Sequence, residues 1–242
     1  MEYKKVYIID NKKIYENIYK LSISGDFKGK PGQFYMVRSW RKEPLLSRPI
    51  SIYSIDNNTL EFLYAVVGEG TKLLSELKKG DSINLLGPLG NGFPIENIKG
   101  KIAVVSGGIG IAPLYEVVKN LQECEIDLYA GFREKSYSTE AFKEYVENIY
   151  IATESGEEGE KGYITDILEV NKYDMVLCCG PEVMMKKVVK MCKEKKVPIY
   201  ISMEKHMACG VGACLGCTCK TKDGNKRTCK EGPVFLGDEL EE

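Results

Sequence analysis

The chain has 242 residues, which at roughly 100–200 residues per domain predicts two compact units with room for a small appendage. Its 34 Lys+Arg are balanced by 35 Asp+Glu for a net charge of −1, and the charges are interspersed, so no basic stripe points to a nucleic-acid partner. No run reaches the roughly 18 apolar residues of a membrane span and the first ten residues lack a signal-peptide apolar core, which makes a soluble, cytoplasmic protein with no membrane partner the expectation.

The first hundred residues alternate short β-type runs with turns. The runs are K-K-V-Y-I-I-D, I-Y-K-L-S-I-S, Q-F-Y-M-V-R, S-I-Y-S-I, L-E-F-L-Y-A-V-V and S-I-N-L-L, punctuated by Gly25, Pro31-Gly32, Asp56-Asn57-Asn58 and Gly80-Asp81. This spacing predicts a small antiparallel β-barrel, interrupted by one helix from Gly70 to Lys79. From Lys101 the rhythm changes to strands alternating with helices. I-A-V-V-S precedes a helix from about Ala112 to Glu123; I-D-L-Y-A-G-F and I-Y-I-A-T follow; a short helix, D-M-V-L-C-C-G, a helix from Pro181 to about Lys196 and V-P-I-Y-I-S complete the pattern. It predicts a parallel α/β sheet covered on both faces, whose ligands bind at the carboxyl ends of the strands. The last forty residues are rich in glycine and cysteine, then acidic. Boundaries are expected at 1–99, 100–203 and 204–242.

Nine cysteines, an odd number in a chain with no export signal, favour metal or redox chemistry over a disulfide scaffold, and the single histidine, His206, excludes a three-histidine zinc site. Cys209-x4-Cys214-x2-Cys217-x11-Cys229 provides four thiolates in one short segment. The first three spacings match the plant-type arrangement around a [2Fe-2S] cluster, and the small residues Gly210, Gly212, Ala213 and Gly216 let N–H groups approach sulfur. A structural zinc site is the alternative, although zinc ribbons ordinarily pair two C-x2-C knuckles and only one is present here. Cys219 is then a packed spare, and Cys124, Cys178 and Cys192 are packing residues.

Two further signals are weaker alone. Arg48-Pro49-Ile50-Ser51 offers a guanidinium for a pyrophosphate and a hydroxyl for a flavin nitrogen, and Gly68-Glu69-Gly70-Thr71 opens a helix whose N–H groups favour phosphate. Ser106-Gly107-Gly108-Ile109-Gly110-Ile111-Ala112-Pro113 is a glycine-rich strand-to-helix turn without the full dinucleotide fingerprint. Cys178-Cys179-Gly180-Pro181 ends another expected strand of the same sheet, and two such turns flanking one crevice suit a dinucleotide.

In order, P-G-Q-F, R-P-I-S, G-E-G-T, G-G-I-G-I-A-P-L, C-G-P and A-C-G-V-G-A-C-L-G-C resemble the ferredoxin reductase superfamily and, within it, the electron transfer subunits of dihydroorotate dehydrogenase B. The resemblance implies an N-terminal FAD-binding barrel, an NAD-binding α/β domain and a C-terminal [2Fe-2S] domain. It implies FAD contacts from Arg48, Pro49, Ile50, Ser51, Leu63, Tyr64, Ala65, Gly70 and Thr71, and dinucleotide contacts from Gly107, Gly108, Gly110, Cys179 and Gly180. Cys209, Cys214, Cys217 and Cys229 would ligate iron. Ile50 stands where many relatives have tyrosine, leaving Tyr53 and Tyr64 as candidates to cover the flavin. The implied role is an electron relay from an FMN-containing catalytic subunit, which oxidises dihydroorotate in pyrimidine biosynthesis, through [2Fe-2S] and FAD to NAD, in a heterotetramer. The alternatives are a flavin and iron-sulfur subunit of an NADH-dependent ferredoxin reductase, transhydrogenase or sulfide dehydrogenase complex, and a non-enzymatic, zinc-stabilised binding module. Arg133 is a candidate for a 2′-phosphate in the choice of NAD against NADP.

Overall fold

A computed structural model describes residues 1–56 and 58–240; Asn57, in the expected Asp56–Asn58 turn, lies outside the described residues. The first seven strands are β1 (Glu2–Tyr15), β2 (Ile18–Ser24), β3 (Phe34–Arg38), β4 (Arg48–Ser51), β5 (Ser54–Asp56), β6 (Thr59–Ala65) and β7 (Ser82–Leu89), with helix α1 (Glu69–Ser75) between the last two. Period-two patterning drives their assembly: β7 alternates buried and half-buried residues along its whole length. Its inward Ile83 and Leu85 meet Val6, Ile8, Leu21, Ile23, Val37, Leu60 and Phe62 in a barrel core.

All pairs are antiparallel in the order β4-β3-β7-β1-β2-β6-β5. The barrel is not fully closed. β4 pairs on one side only, with β3, and β5 covers only the Thr59–Glu61 end of β6. From Phe62 to Ala65, β6 has no strand on its β5 side among the described residues, so a seam runs between β4 and β6. Helix α1 ends at Ser75 instead of the expected Lys79, before the Gly80 turn.

The second sheet contains β8 (Lys101–Gly107), β9 (Glu125–Phe132), β10 (Asn148–Thr153), β11 (Glu160–Lys161), β12 (Met175–Cys179) and β13 (Ile199–Ser202), all parallel. Helix α2 (Ala112–Lys119) lies on one face and α3 (Glu182–Lys195) on the other. α2 stops four residues before the expected Glu123, where the Asn120 side chain donates to the Glu116 carbonyl at 2.7 Å. The expected short helix before β12 is two 3-10 turns, Ile164–Asp166 and Val170–Lys172.

The core under α2 continues into the barrel through Ile18, Tyr53, Leu63 and Phe93. Tyr53 stacks on Tyr115 at 4.6 Å, and the buried Glu116 carboxylate accepts the Ile55 N–H at 3.0 Å. Lys119 donates to Glu116, Ser54 and Asp56 at 3.1, 3.0 and 3.3 Å. The two units therefore share packed surface and a polar clamp.

The C-terminal segment leaves β13, forms the cysteine loop and the hairpin β14 (Thr218–Thr221) and β15 (Gly224–Arg227), then returns as β16 (Val234–Leu236), antiparallel to β13. A division at 203/204 thus leaves β16 apart from the sheet it completes. Asn91, just past β7, donates from its backbone to the Gly232 carbonyl at 2.6 Å and from its side chain to the Lys230 and Glu231 carbonyls. No helix among the described residues is long and apolar enough to cross a membrane.

Candidate functional site

Glycines and short turns gather the four spaced cysteines on the outer wall of the barrel. Cys217 and Cys229 are buried against Phe34, Met36 and Leu89; Cys209 is half-buried and Cys214 exposed. Gly210 makes this seating possible. It sits at φ +71°, and a Cβ there would stand 2.7 Å from Met36 Cγ.

The sulfurs group as two neighbouring pairs, Cys209 with Cys214 and Cys217 with Cys229. Backbone N–H groups point at them: Val211 at Cys209 Sγ (3.4 Å), Gly212 at Cys229 Sγ (3.1 Å) and Cys229 at Cys217 Sγ (3.4 Å). Partial burial opposes ionisation of Cys209, but the N–H groups of Cys214, Val211 and Ala213 and the Cys214 thiol bring it down to about 6. Burial, reinforced by Cys217, pushes Cys229 up to about 12.

Among the described residues no three histidine, cysteine or acidic side chains converge on the position of a single metal ion. Two thiol pairs ringed by N–H donors fit a two-iron cluster, in which each iron takes two thiolates, better than one tetrahedral zinc. Cys219 points elsewhere, its buried thiol donating to the Lys226 carbonyl at 3.4 Å.

One strand away lies the barrel seam. Across β3 and β4, Met36 is opposite Pro49 and Phe34 opposite Ser51, so the strand that carries the cysteine cap also pairs with the Arg48–Ser51 motif. The Arg48 guanidinium lies 5.4 Å from the Trp40 ring centroid, and a Cβ on Gly70 would stand 2.8 Å from Arg48 Nε. Arg48 and the Gly70 turn are thus brought together. The Thr71 hydroxyl accepts the Val67 and Gly68 N–H groups at 3.0 and 3.2 Å, fixing that turn.

Ile50, Leu63 and Tyr64 have buried side chains, while Pro49, Ser51 and Ala65 are half-buried. β6 therefore faces the seam chiefly with its unpaired backbone edge, which suits a flat heteroaromatic group that accepts and donates hydrogen bonds. Tyr53 is stacked on Tyr115, and Tyr64 on Tyr19 with its hydroxyl donating to Asn11 Oδ1 at 3.2 Å; both rings are occupied inside the protein.

The glycine-rich turn and the Cys179–Gly180 turn meet at the carboxyl edge of the second sheet. They pack directly: a Cβ on Gly110 would stand 2.3 Å from the Cys179 carbonyl oxygen, and one on Gly107 2.7 Å from Pro181 Cδ. Gly108 alone of these glycines faces open space, with only Tyr137 Oη within 4 Å of its would-be Cβ. Glycine at Gly107 and Gly110 thus answers first to turn-on-turn packing, a need that spacing alone does not distinguish from approach to a dinucleotide.

Ser106, Cys179 and Ser202 are in register across β8, β12 and β13. Ser106 Oγ is buried without a partner, and burial, followed by the Glu204 carboxylate, holds the Cys179 thiol well above its usual value, so it stays neutral. Arg133 is exposed after β9.

A family model described as the iron-sulfur cluster binding domain of dihydroorotate dehydrogenase B matches residues 204–241, and one described as an oxidoreductase NAD-binding domain matches residues 104–190. The chain is 58% identical over 237 residues to the dihydroorotate dehydrogenase B (NAD(+)) electron transfer subunit of Clostridium acetobutylicum, covering 98% of this chain and 96% of the relative. The chain belongs to this family. The corresponding subunit of Clostridium perfringens is 51% identical over 245 residues, covering 100% and 99%.

Among solved structures, one described as an NADH-dependent reduced ferredoxin-NADP oxidoreductase superposes with a TM-score of 0.87 at 32% identity, covering 98% of this chain and 89% of that one. The ferredoxin reductase of carbazole 1,9a-dioxygenase (TM-score 0.70, 20% identity, covering 83% and 68%) shares the fold. The family's architecture of barrel, nucleotide-binding α/β unit and iron-sulfur unit agrees with the fold expected from the sequence.

Motif reading missed three supporting groups. Trp40 packs on Arg48. Arg227 donates to the Gly212 carbonyl at 2.9 Å and pairs with Glu231, bracing the cysteine loop from its far side and holding the Glu231 carboxyl down to about 2. Glu116 and Lys119 clamp barrel to α/β unit. The i, i+3 spacing of Glu116 and Lys119 on the expected helix is a signal visible in the sequence, as is the close spacing of Arg227 and Glu231 around Cys229.

Proposed function

We propose that the chain is the electron transfer subunit of an NAD-dependent dihydroorotate dehydrogenase, working in the cytoplasm in pyrimidine biosynthesis. It receives electrons from an FMN-containing catalytic subunit, in a heterotetramer of two of each, and delivers them by way of a [2Fe-2S] centre and FAD to NAD+. The supporting observation is the seating of Cys217 and Cys229 on Phe34 and Met36, whose register partners are Ser51 and Pro49 at the seam. One strand, about 5 Å of lateral spacing, separates the two sites.

When bound, FAD exchanges a hydride with nicotinamide and single electrons with an iron-sulfur centre. The chain's residues supply the positioning. Arg48 and the Gly70–Thr71 turn hold the pyrophosphate; Pro49, Ile50, Ser51 and the β6 edge at Leu63, Tyr64 and Ala65 hold the ring; Cys209, Cys214, Cys217 and Cys229 hold iron. Gly107, Gly108 and Gly110, with Cys179 and Gly180, shape the crevice for the dinucleotide, and the neutral Cys179 thiol adds no charge there. In this reading 1–99, 100–203 and 204–242 are the FAD, NAD and iron-sulfur units, with β16 lent back to the second.

A second reading, favoured by the 32% identity to the ferredoxin-NADP oxidoreductase structure, keeps the relay and changes the electron donor. Co-expression with the catalytic subunit separates the two. Dihydroorotate-dependent NAD+ reduction by the purified complex is the expected result, and no turnover in a complex carrying every cofactor overturns the first reading.

A further inference from the structure

The cap covers only part of an apolar strip on the barrel's outer face. Directly opposed residues of an antiparallel pair share a face. Tyr3 of β1 is opposite Leu86 of β7, and Leu86 is opposite Met36 of β3, so the three form one row. The next rows are Lys5–Asn84–Arg38 and Tyr7–Ser82. At one end Met36 is 3% exposed beneath the cap, packed with Cys217 and Cys229. At the other end Tyr3 is 69% and Tyr7 57% exposed, while Val6 and Ile8, on the inner face of the same strand, are buried.

The tyrosines therefore stand on a firmly held strand, continuous with the surface on which the cap sits. On the cap itself, beside the exposed Cys214, Leu215 is 62% exposed and Val211 is also exposed. Tyrosines that combine a rigid apolar ring with a polar tip are enriched at protein interfaces. A standard interface takes about 800 Å² from each partner, more than the tip of one cysteine loop offers.

We propose that Tyr3 and Tyr7 on the outer face of β1 form, together with the cap, the docking surface for the FMN-bearing catalytic subunit. This rests on the function proposed above. The occupant is a protein that presents an apolar patch with a carboxylate beside it, since exposed Lys5 lies between the two tyrosines on the same face; Arg38, at the end of that row, is engaged by the Trp40, Arg41, Lys42 and Leu45 carbonyls. Electron delivery to the cysteine centre and grip on the barrel wall then belong to one continuous footprint.

The test co-expresses the catalytic subunit with the wild-type chain, with the double variant Tyr3→Asp/Tyr7→Asp, and with Tyr163→Asp, an equal change at a tyrosine 61% exposed on the α/β unit. The double variant is expected to weaken association roughly 30-fold or more and to lose dihydroorotate-dependent NAD+ reduction in step. It keeps flavin and iron-sulfur absorbance and NADH oxidation by ferricyanide, and Tyr163→Asp matches wild type. Unchanged association of the double variant overturns the surface and leaves the functional reading standing. A wild-type chain that carries its cofactors but does not bind the catalytic subunit overturns both. Self-association of the chain through these tyrosines, seen as a dimer mass that the double variant abolishes while the hetero-complex is untouched, also overturns the proposal. Should the double variant lose its flavin, Lys5→Glu is read instead: a severalfold, salt-sensitive weakening supports the surface and no change overturns it.

Discussion

The barrel seam and the cysteine cap, one strand apart, hold their groups by different means. The seam offers backbone, the open edge of β6 beyond Glu61, with one guanidinium at its mouth. The cap offers side chains, four sulfurs of which Cys209, Cys217 and Cys229 accept N–H groups, with the Arg227–Glu231 brace behind them. A side-chain site fails when one residue changes; a backbone site keeps its shape and only loses grip. Each of the following experiments presses on that contrast.

The largest effect is expected from Cys214→Ser, which removes the iron-sulfur absorbance and paramagnetic signal altogether while the flavin band survives. Cys219→Ser is its control, since that thiol donates to the Lys226 carbonyl outside the two pairs; equal loss from both variants would erase the distinction between ligands and spare. Arg48→Ala should weaken FAD binding about 10- to 100-fold, the worth of a charge-assisted hydrogen bond, as read by flavin fluorescence titration, with the iron content unchanged. A barrel that no longer folds, instead of one that binds FAD weakly, would show the seam to depend on side chains after all.

Gly210→Ala should cost about 1–3 kcal/mol, because it combines φ +71° with an approach to Met36 Cγ, and should lower iron retention and the cap's melting temperature. Gly216→Ala, whose nearest neighbour would be Cys214 Sγ at 3.6 Å, should be mild by comparison. The smallest change in cofactor content is expected from Lys119→Met. It leaves the buried Glu116 carboxylate with the Ile55 N–H and the Asn120 side chain but no cation, a loss of about 1–3 kcal/mol in thermal unfolding with both cofactor spectra intact.

The same contrast explains what could be read in advance. Cysteine spacing reports side-chain chemistry directly, so the four candidate ligands and the spare Cys219 were visible in order and number, and the Arg48–Ser51 motif pointed to β4. The open edge of β6 was not visible, because Leu63–Ala65 reads as an ordinary buried strand until its neighbours are known. For Gly107 and Gly110 the spacing pointed to a strand-to-helix turn but not to one reason for glycine there, the opposing Cys179–Pro181 turn. β16 was hidden for a third reason. Three residues after Gly232-Pro233 carry too little periodicity to announce that the chain rejoins a sheet begun at Lys101.

That return makes the cap a closed excursion instead of a tail. Met203 donates its N–H to the Pro233 carbonyl at 2.9 Å, so residues 204–232 begin and end at one hydrogen-bonded point between neighbouring strands. Stripped of iron, such a loop cannot drift away. Its thiols remain at high effective concentration near the barrel wall, which favours rebuilding the centre in place. Because the ends already meet, a short turn joining β13 to β16 should yield a flavin-only reductase whose α/β sheet is whole.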